Sequence, residues 1–334
     1  MSELEQAVGK EKRTTGKMKK TVKAVEPYRY KNYINFKLHA YEAWKNSGGK
    51  TASSHYVPGC MKGLFFNHEL PTICTSKNEA RLRFVEAVSI KFDTFPDYSF
   101  YEIIPFIWDC WPRNYDRMER WIKKHDVRTA FFTSSEEMRD MKKRVPSLIA
   151  MHCPEAVDST LFSAGRCLAE RHIDLLEFGR SNNNIIPKNI ASSLNINHVT
   201  TNNNNKFIFS DTQLREIMSD SKIVISLPRL ITFPEAAEGI ETLTQRYWEN
   251  MLSRNVMIGH APKELVDLIG YNPVIELESF DMRYVADRIQ NVLEHITDYQ
   301  ELVDKNRETA LKLGDWSERM TRIKLFLVRN GYCL

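Results

Sequence analysis

Two glutamates set the chemical question. Glu241 and Glu249 stand eight positions apart in the segment LPRLITFPEAAEGIETLTQRYWENMLSRNVMIGHAP, residues 227–262. The pattern predicts a strand ending at Pro228, a loop carrying Glu235, Glu238 and Gly239, and a helix from near Thr242. On such a helix the two carboxylates lie near one face but two turns, roughly 12 Å, apart along the axis. Acid/base work on a single bond needs carboxyl groups about 5–10 Å apart, so this pair is not built for it. It could hold opposite ends of one elongated ligand, with the helix N-terminal amides of Thr242, Leu243 and Thr244 facing a diphosphate between them. Two glutamates at this spacing are by themselves an ordinary solvated helix face. The glycine-bearing loop ahead of them, and Gly179-Arg180 one strand–helix unit upstream, turn the reading toward a ligand site.

Other residues could serve the same ligand. Arg229 and Arg246 flank the loop and could reach a phosphate, while Arg180 reads equally as a structural ion-pair partner. Asp109 ends a predicted strand and could act in a site or cap the next turn. Trp108, Trp111, Tyr115 and Trp121 could stack on sugar rings, but their setting fits core packing better. His55, His68 and His125 have no triad-like context. The six cysteines show no CxxC pair and no histidines at metal spacing, which reads as reduced thiols in a cytosolic protein, with no metal site expected.

These residues need strands and helices to hold them. In the first half the helical candidates are YINFKLHAYEAWK, closed by Ser47-Gly48-Gly49-Lys50, then EARLRFVEAVSIKF, YDRMERWIKKH and SSEEMRDMKKR, the last capped by Ser134 or Ser135. YEIIPFIWDC and TAFFTSS read as short buried strands. The second half alternates more clearly. IDLLEFGR is a strand, an asparagine-heavy loop segment follows, and DTQLREIMSDS, KIVISLP, TLTQRYWENMLSR, NVMIGH, PKELVDLIG and PVIEL alternate helix and strand. Two long helices, DMRYVADRIQNVLEH and YQELVDKNRETALKL, come next. Such alternation gives a parallel sheet flanked by helices, a doubly wound α/β domain whose ligands sit at the carboxyl ends of the strands.

Charge excludes a class of partner. The 334 residues hold 47 Lys+Arg and 43 Asp+Glu, a net +4, and residues 1–24 alone hold seven bases and three acids. The remaining chain is balanced, so no basic face for nucleic acid is expected. Residues 1–25 read as a basic mobile arm. No apolar run approaches the roughly 20 residues of a membrane span, and the N-terminus lacks the apolar core of a secretory signal.

With these motifs in place, the chain resembles the retaining glycosyltransferases of the GT-B fold, especially the large family-four group (glycosyl transferases group 1). The resemblance rests on Glu241-x(7)-Glu249 followed by NVMIG, on the strand end LLEFGR, and on CPEAVDSTLF, which is similar to the family's interdomain crossing. It covers about residues 155–315 well and 100–150 faintly. It implies an α/β fold of two Rossmann-like domains facing a cleft, the N-terminal one reduced and irregular. The acceptor-side domain would span 26–152, the nucleotide-sugar domain 153–315, and a helix in 316–334 would pack back on the first. It further implies that Glu241 contacts the donor sugar and assists catalysis, and that Glu249 binds the ribose. Gly179, Arg180 and, at an unusually long spacing, Lys188 would meet the diphosphate. No metal or other cofactor is implied. Two departures stand out: the family's Gly-rich acceptor loop is reduced to candidates at Gly48-Gly49 and Gly59, and Trp108 replaces the histidine that often precedes Asp109.

The implied activity is transfer from a UDP- or GDP-sugar to a glycan or lipid-linked glycan in cell-surface polysaccharide or glycoconjugate synthesis. The place implied is the cytoplasm; the basic residues 1–24 read equally as an arm that holds the protein to the anionic inner face of the membrane and as a merely solubilising extension. The readings from other classes are a nucleotide-sugar epimerase or phosphorylase on the same fold and a non-catalytic scaffold of GT-B shape.

Overall fold

The computed structural model describes residues 21–27, 36–53, 57, 61, 81–179, 191–192, 194–200, 202–203, 206–207 and 209–334. Among these, the chain forms two parallel sheets, each covered by helices. The N-terminal part runs β1 (Thr21–Val25), α1 (Phe36–Asn46), β2 (Thr51–Ala52), β3 (Arg81–Ala87), α2 (Ile90–Asp93), β4 (Glu102–Ile107), α3 (Tyr115–Lys124), β5 (Thr129–Phe132), α4 (Ser135–Arg144) and β6 (Ile149–His152). Its six strands lie in the order β2-β1-β3-β4-β5-β6, all parallel.

The C-terminal part runs β7 (Ile173–Glu177), β8 (His198–Thr200), a small antiparallel pair β9 (Asn202–Asn203) and β10 (Lys206–Phe207), α5 (Asp211–Ser219) and β11 (Ser221–Ser226). It continues through α6 (Arg229–Thr232), α7 (Pro234–Ala237), α8 (Gln245–Leu252), β12 (Val256–Gly259), α9 (Lys263–Ile269), β13 (Val274–Glu276), α10 (Met282–Glu294) and α11 (Gln300–Leu313). The second sheet has five parallel strands in the order β13-β12-β11-β7-β8. The last helix, α12 (Trp316–Arg329), returns to the first sheet.

Three sequence expectations change here. Thr21–Val25, assigned to the mobile arm, form a strand paired on both sides; Val22 and Ala24 are buried while Lys23 is exposed, so a short alternating TVKAV hides inside a basic stretch. Arg81–Ala87, read as amphipathic helix, are β3. Leu82 and Phe84 enter one core cluster and Val85 and Ala87 the other, and burial on both faces erases the polar side that a strand reading looks for. The first sheet, expected to be reduced, has one strand more than the second.

Strand alternation sorts each core onto the two faces of its sheet. On the first, Phe84, Ile104, Phe106 and Phe131 pack with Trp44 of α1 and Trp316, Met320 and Ile323 of α12; on the reverse face, Ile103, Ile107 and Phe132 pack with Trp121 and Met141. Trp108, Trp111, Tyr115 and Trp121 are all buried. Helix α4 begins as its sequence demands, with Ser134 as N-cap accepting from the Glu137 amide, acids in its first turn and bases in its last.

The chain crosses between the sheets twice, and the crossings bind each other. The Val157 amide donates to the Gly314 carbonyl at 2.9 Å and the Trp316 amide to the Val157 carbonyl at 3.0 Å. Beyond the second crossing, the Lys324 ammonium donates to the carbonyls of Trp44, in the last turn of α1, and of Ser47 just past it, at 3.2 and 2.8 Å.

Candidate functional site

The order of the second sheet selects a location. The connection from β7 to β8 runs outward in one direction, and the chain then crosses back past β7 to β11 and continues through β12 to β13. The reversal falls between β7 and β11. Helices leave on opposite faces at such a point, so a crevice opens outside the carboxyl ends of the two strands. It is lined here by Glu177, Phe178, Ile225, Leu227 and Arg246. Gly179 follows with φ 115°, a conformation side-chain-bearing residues rarely adopt. The Arg246 guanidinium lies over the Phe178 ring, 5.1 Å from its centroid, at the mouth of the crevice. Arg180 and Lys188 lie outside the described residues.

The Glu241–Glu249 segment differs from its expected form. Helix α8 begins at Gln245, with Thr244 as its N-cap in extended conformation, so Glu241, Thr242 and Leu243 precede the helix. The β-branched threonines favour the extended chain. The first helical amides are therefore not those of Thr242, Leu243 and Thr244. Thr242 is buried, the Leu243 amide donates to Glu264 at 3.3 Å, and the Gln245 amide donates to Glu155 at 3.1 Å. Burial pushes the Glu155 carboxyl well above its ordinary value, with the carboxylate of Asp109 adding to the effect and the Gln245 amide opposing it.

The two glutamates part company as a result. Glu241 sits beside His260, with Oε1 3.0 Å from the ring Nε2, and its Oε2 accepts from the Lys263 amide at 2.8 Å. Glu249 lies on the other flank of α8, in a hollow lined by His39, Val157, Phe162, Asp211, Leu214, Arg215, Met218 and Gln245. Burial raises its carboxyl to about 7, against the pull of Arg246 and Arg215. Both domains meet in that hollow, since His39 belongs to α1. Burial lowers the His39 imidazole, while Asp158 works the other way.

The guanidinium of Arg229, a phosphate candidate, lies over the indole of Trp111 at 4.6 Å, one of several contacts across the cleft. Asp109 is exposed beyond β4, with φ 55°. The next amide, Cys110, donates to Glu137 at 3.1 Å. Glu137 is buried, its Oε1 has no hydrogen-bond partner among the described residues, and burial raises its carboxyl to about 8, with Asp109 contributing.

Sequence reasoning missed Glu137, Glu155, His260, Glu264 and Glu276. One signal was available: His260 is the last residue of the predicted strand NVMIGH, at the carboxyl edge where ligands gather. Among the described residues no three His, Cys, Asp or Glu side chains converge as a metal site would require.

No protein-family model matches the sequence, and no curated protein matches it. Solved structures do match. The Anabaena protein HepE, in complex with UDP-glucose, superposes with a TM-score of 0.59 at 10% identity, over 92% of this chain and 99% of that one. AviGT4, a glycosyltransferase involved in avilamycin A biosynthesis, superposes at 0.53 with 11% identity, over 94% and 98%. A glycosyltransferase from Rickettsia africae superposes at 0.53 with 7% identity, over 93% and 98%. At such identities the likeness establishes architecture: two parallel-sheet domains facing a cleft, the GT-B fold, run the length of this chain.

Proposed function

We propose that this protein is a glycosyltransferase that takes its sugar from a nucleotide-sugar donor, UDP- or GDP-linked. The observation that carries the reading is the β7/β11 crevice with Arg246 at its mouth, in a fold shared with a protein solved with UDP-glucose bound. Negative charge develops on the departing nucleoside diphosphate. Arg246 and the Gly179 turn, with Arg180 and Lys188 beyond it, would neutralise that charge, and fixed donors of this kind supply much of an enzyme's rate enhancement.

In this reading Glu241 accepts hydrogen bonds from the donor sugar and Glu249 from the ribose, and transfer proceeds with retention, as the family resemblance implies. The acceptor is a glycan or lipid-linked glycan, met on the side of Asp109, in cell-surface polysaccharide or glycoconjugate synthesis. No metal takes part, so excess chelator leaves the rate unchanged. The working place is the cytoplasm, beside an anionic membrane face.

Calorimetric titration with UDP, GDP and their sugar conjugates tests the reading, and a protein that binds none of them is no transferase. Glu241→Ala is expected to keep nucleotide affinity and abolish transfer, while Glu249→Ala weakens the nucleotide. The reverse pattern would exchange the two roles.

A further inference from the structure

Glu241 is one member of a chain of charged groups. Its Oε1 lies 3.0 Å from Nε2 of His260, and the other ring nitrogen, Nδ1, lies 2.9 Å from Oε2 of Glu276. Glu276 is itself anchored, its Oε1 accepting from the Ala261 amide at 2.9 Å and from the Asn272 side-chain amide at 2.8 Å. The imidazole thus stands between two carboxylates, one facing each ring nitrogen.

The backbone of His260 is fixed as firmly as its ring. Its amide donates to the Ser226 carbonyl at 3.0 Å and its carbonyl accepts from the Tyr247 hydroxyl at 2.7 Å. The preceding Gly259 has φ 151°, and a Cβ there would lie 2.0 Å from the Ser226 carbonyl oxygen, so only glycine lets the chain pass this close to β11. Ser226 is the last residue of β11, the strand that walls the donor crevice on one side. Glu276, His260 and Glu241 thus run from the end of β13, past the end of β12, to the segment entering α8. The Glu241 side chain is the most enclosed of the three, 19% exposed against 39% for His260 and 37% for Glu276.

We propose that His260 is a positioning residue, oriented by Glu276, that sets the Glu241 carboxylate to read the hydroxyls of the donor sugar; this rests on the transferase reading above. Each carboxylate oxygen offers two lone pairs. His260 and the Lys263 amide use one on each oxygen, which leaves one on each for neighbouring sugar hydroxyls. Remove the imidazole, and Glu241 keeps a single anchor and is free to rotate away from that geometry. Remove the Glu276 charge, and the ring loses the partner that fixes its second nitrogen.

The test separates the sugar from the nucleotide and needs no acceptor. Wild type, His260→Ala, His260→Gln and Glu276→Gln are titrated with UDP or GDP and with the sugar conjugate of that nucleotide that the wild type binds most tightly, from UDP-glucose, UDP-galactose, UDP-N-acetylglucosamine and GDP-mannose. For His260→Ala, affinity for the sugar nucleotide is expected to fall about tenfold while affinity for the bare nucleotide stays within about twofold. His260→Gln, which keeps one donor toward Glu241, recovers most of the loss, and Glu276→Gln falls between. Equal losses for both ligands, or an unchanged sugar nucleotide affinity, overturn the proposal. Should His260→Ala fail to fold, the split between ligands in His260→Gln and Glu276→Gln decides in the same way. A wild type that binds neither ligand overturns the transferase reading itself.

Discussion

Glu264 of α9 accepts a 2.6 Å hydrogen bond from the backbone amide of Ser135, the first residue of α4, so a carboxylate of the C-terminal domain caps a helix of the N-terminal one. Its other oxygen accepts from Leu243, and His152 stands 3.7 Å away, its imidazole lowered chiefly by burial. The negative charge meets the positive end of the α4 dipole. Glu264→Gln is expected to cost ~0.3–1 kcal/mol, the charge–dipole part alone. Glu264→Ala leaves two amides without their acceptor and costs about 1–3 kcal/mol. Urea unfolding reads both losses, and small-angle scattering of Glu264→Ala without ligand should show a larger radius of gyration.

Arg246, which lines the β7/β11 crevice, and Arg229, which lies over Trp111, have different surroundings and should respond differently. Arg246→Ala removes the charge at the crevice mouth, and UDP affinity should drop about tenfold or more, as for the loss of a charged hydrogen bond of ~1.5–3 kcal/mol. Arg229 is stacked on Trp111 across the cleft. Arg229→Ala should leave UDP affinity within about twofold and cost ~0.5–2 kcal/mol of stability. An equal effect of the two on UDP would remove the distinction.

Glu137 makes stability depend on pH. Its carboxyl titrates at 4.5 in the unfolded chain and about 8 when folded, because burial penalises the charge. Between these values the folded protein holds a proton that the unfolded chain releases. This contribution is complete below 4.5 and is lost as pH rises through 8. Glu137→Gln keeps an acceptor for the Cys110 amide, yet never ionises. Its advantage in melting temperature over wild type should grow from pH 5 to pH 8. A constant difference across that range would show Glu137 ionised throughout.

The N-terminal charge needs a different cut from the one composition suggests. Because Thr21–Val25 form β1, the separable basic stretch is residues 1–20, with six bases and three acids. Removing residues 1–20 should preserve cooperative melting and weaken binding to anionic vesicles, by up to about 1 kcal/mol for each base near the surface. Removing residues 1–25 strips a strand with a neighbour on both sides and should destabilise the whole first sheet. Unchanged vesicle binding in the shorter deletion would retire the membrane role.

Much of the fold was legible because its signals are local. Capping at Ser134 and the apolar runs of β7, β11 and β12 each depend on residues a few positions apart. Where local pattern misled, two-sided burial was the cause at β3, and a strand hidden among lysines at β1. The start of α8 was misplaced by three residues because what caps it, Glu155, comes from the interdomain crossing rather than from its own sequence.

The sequence by itself determined the alternation of strand and helix, the doubly wound second domain, and the residues that stand at its strand ends, Gly179 and His260 among them. Tertiary structure alone decided which charges meet. Glu241 faces His260, Glu264 reaches Ser135, and Glu249 joins His39 and Arg215, because crossovers and a twice-crossing chain bring together residues far apart in sequence, His39 and Glu249 by 210 positions. Periodicity reports which face of an element is buried. It does not report which other element lies against that face, and the chemistry of this cleft is set by those pairings.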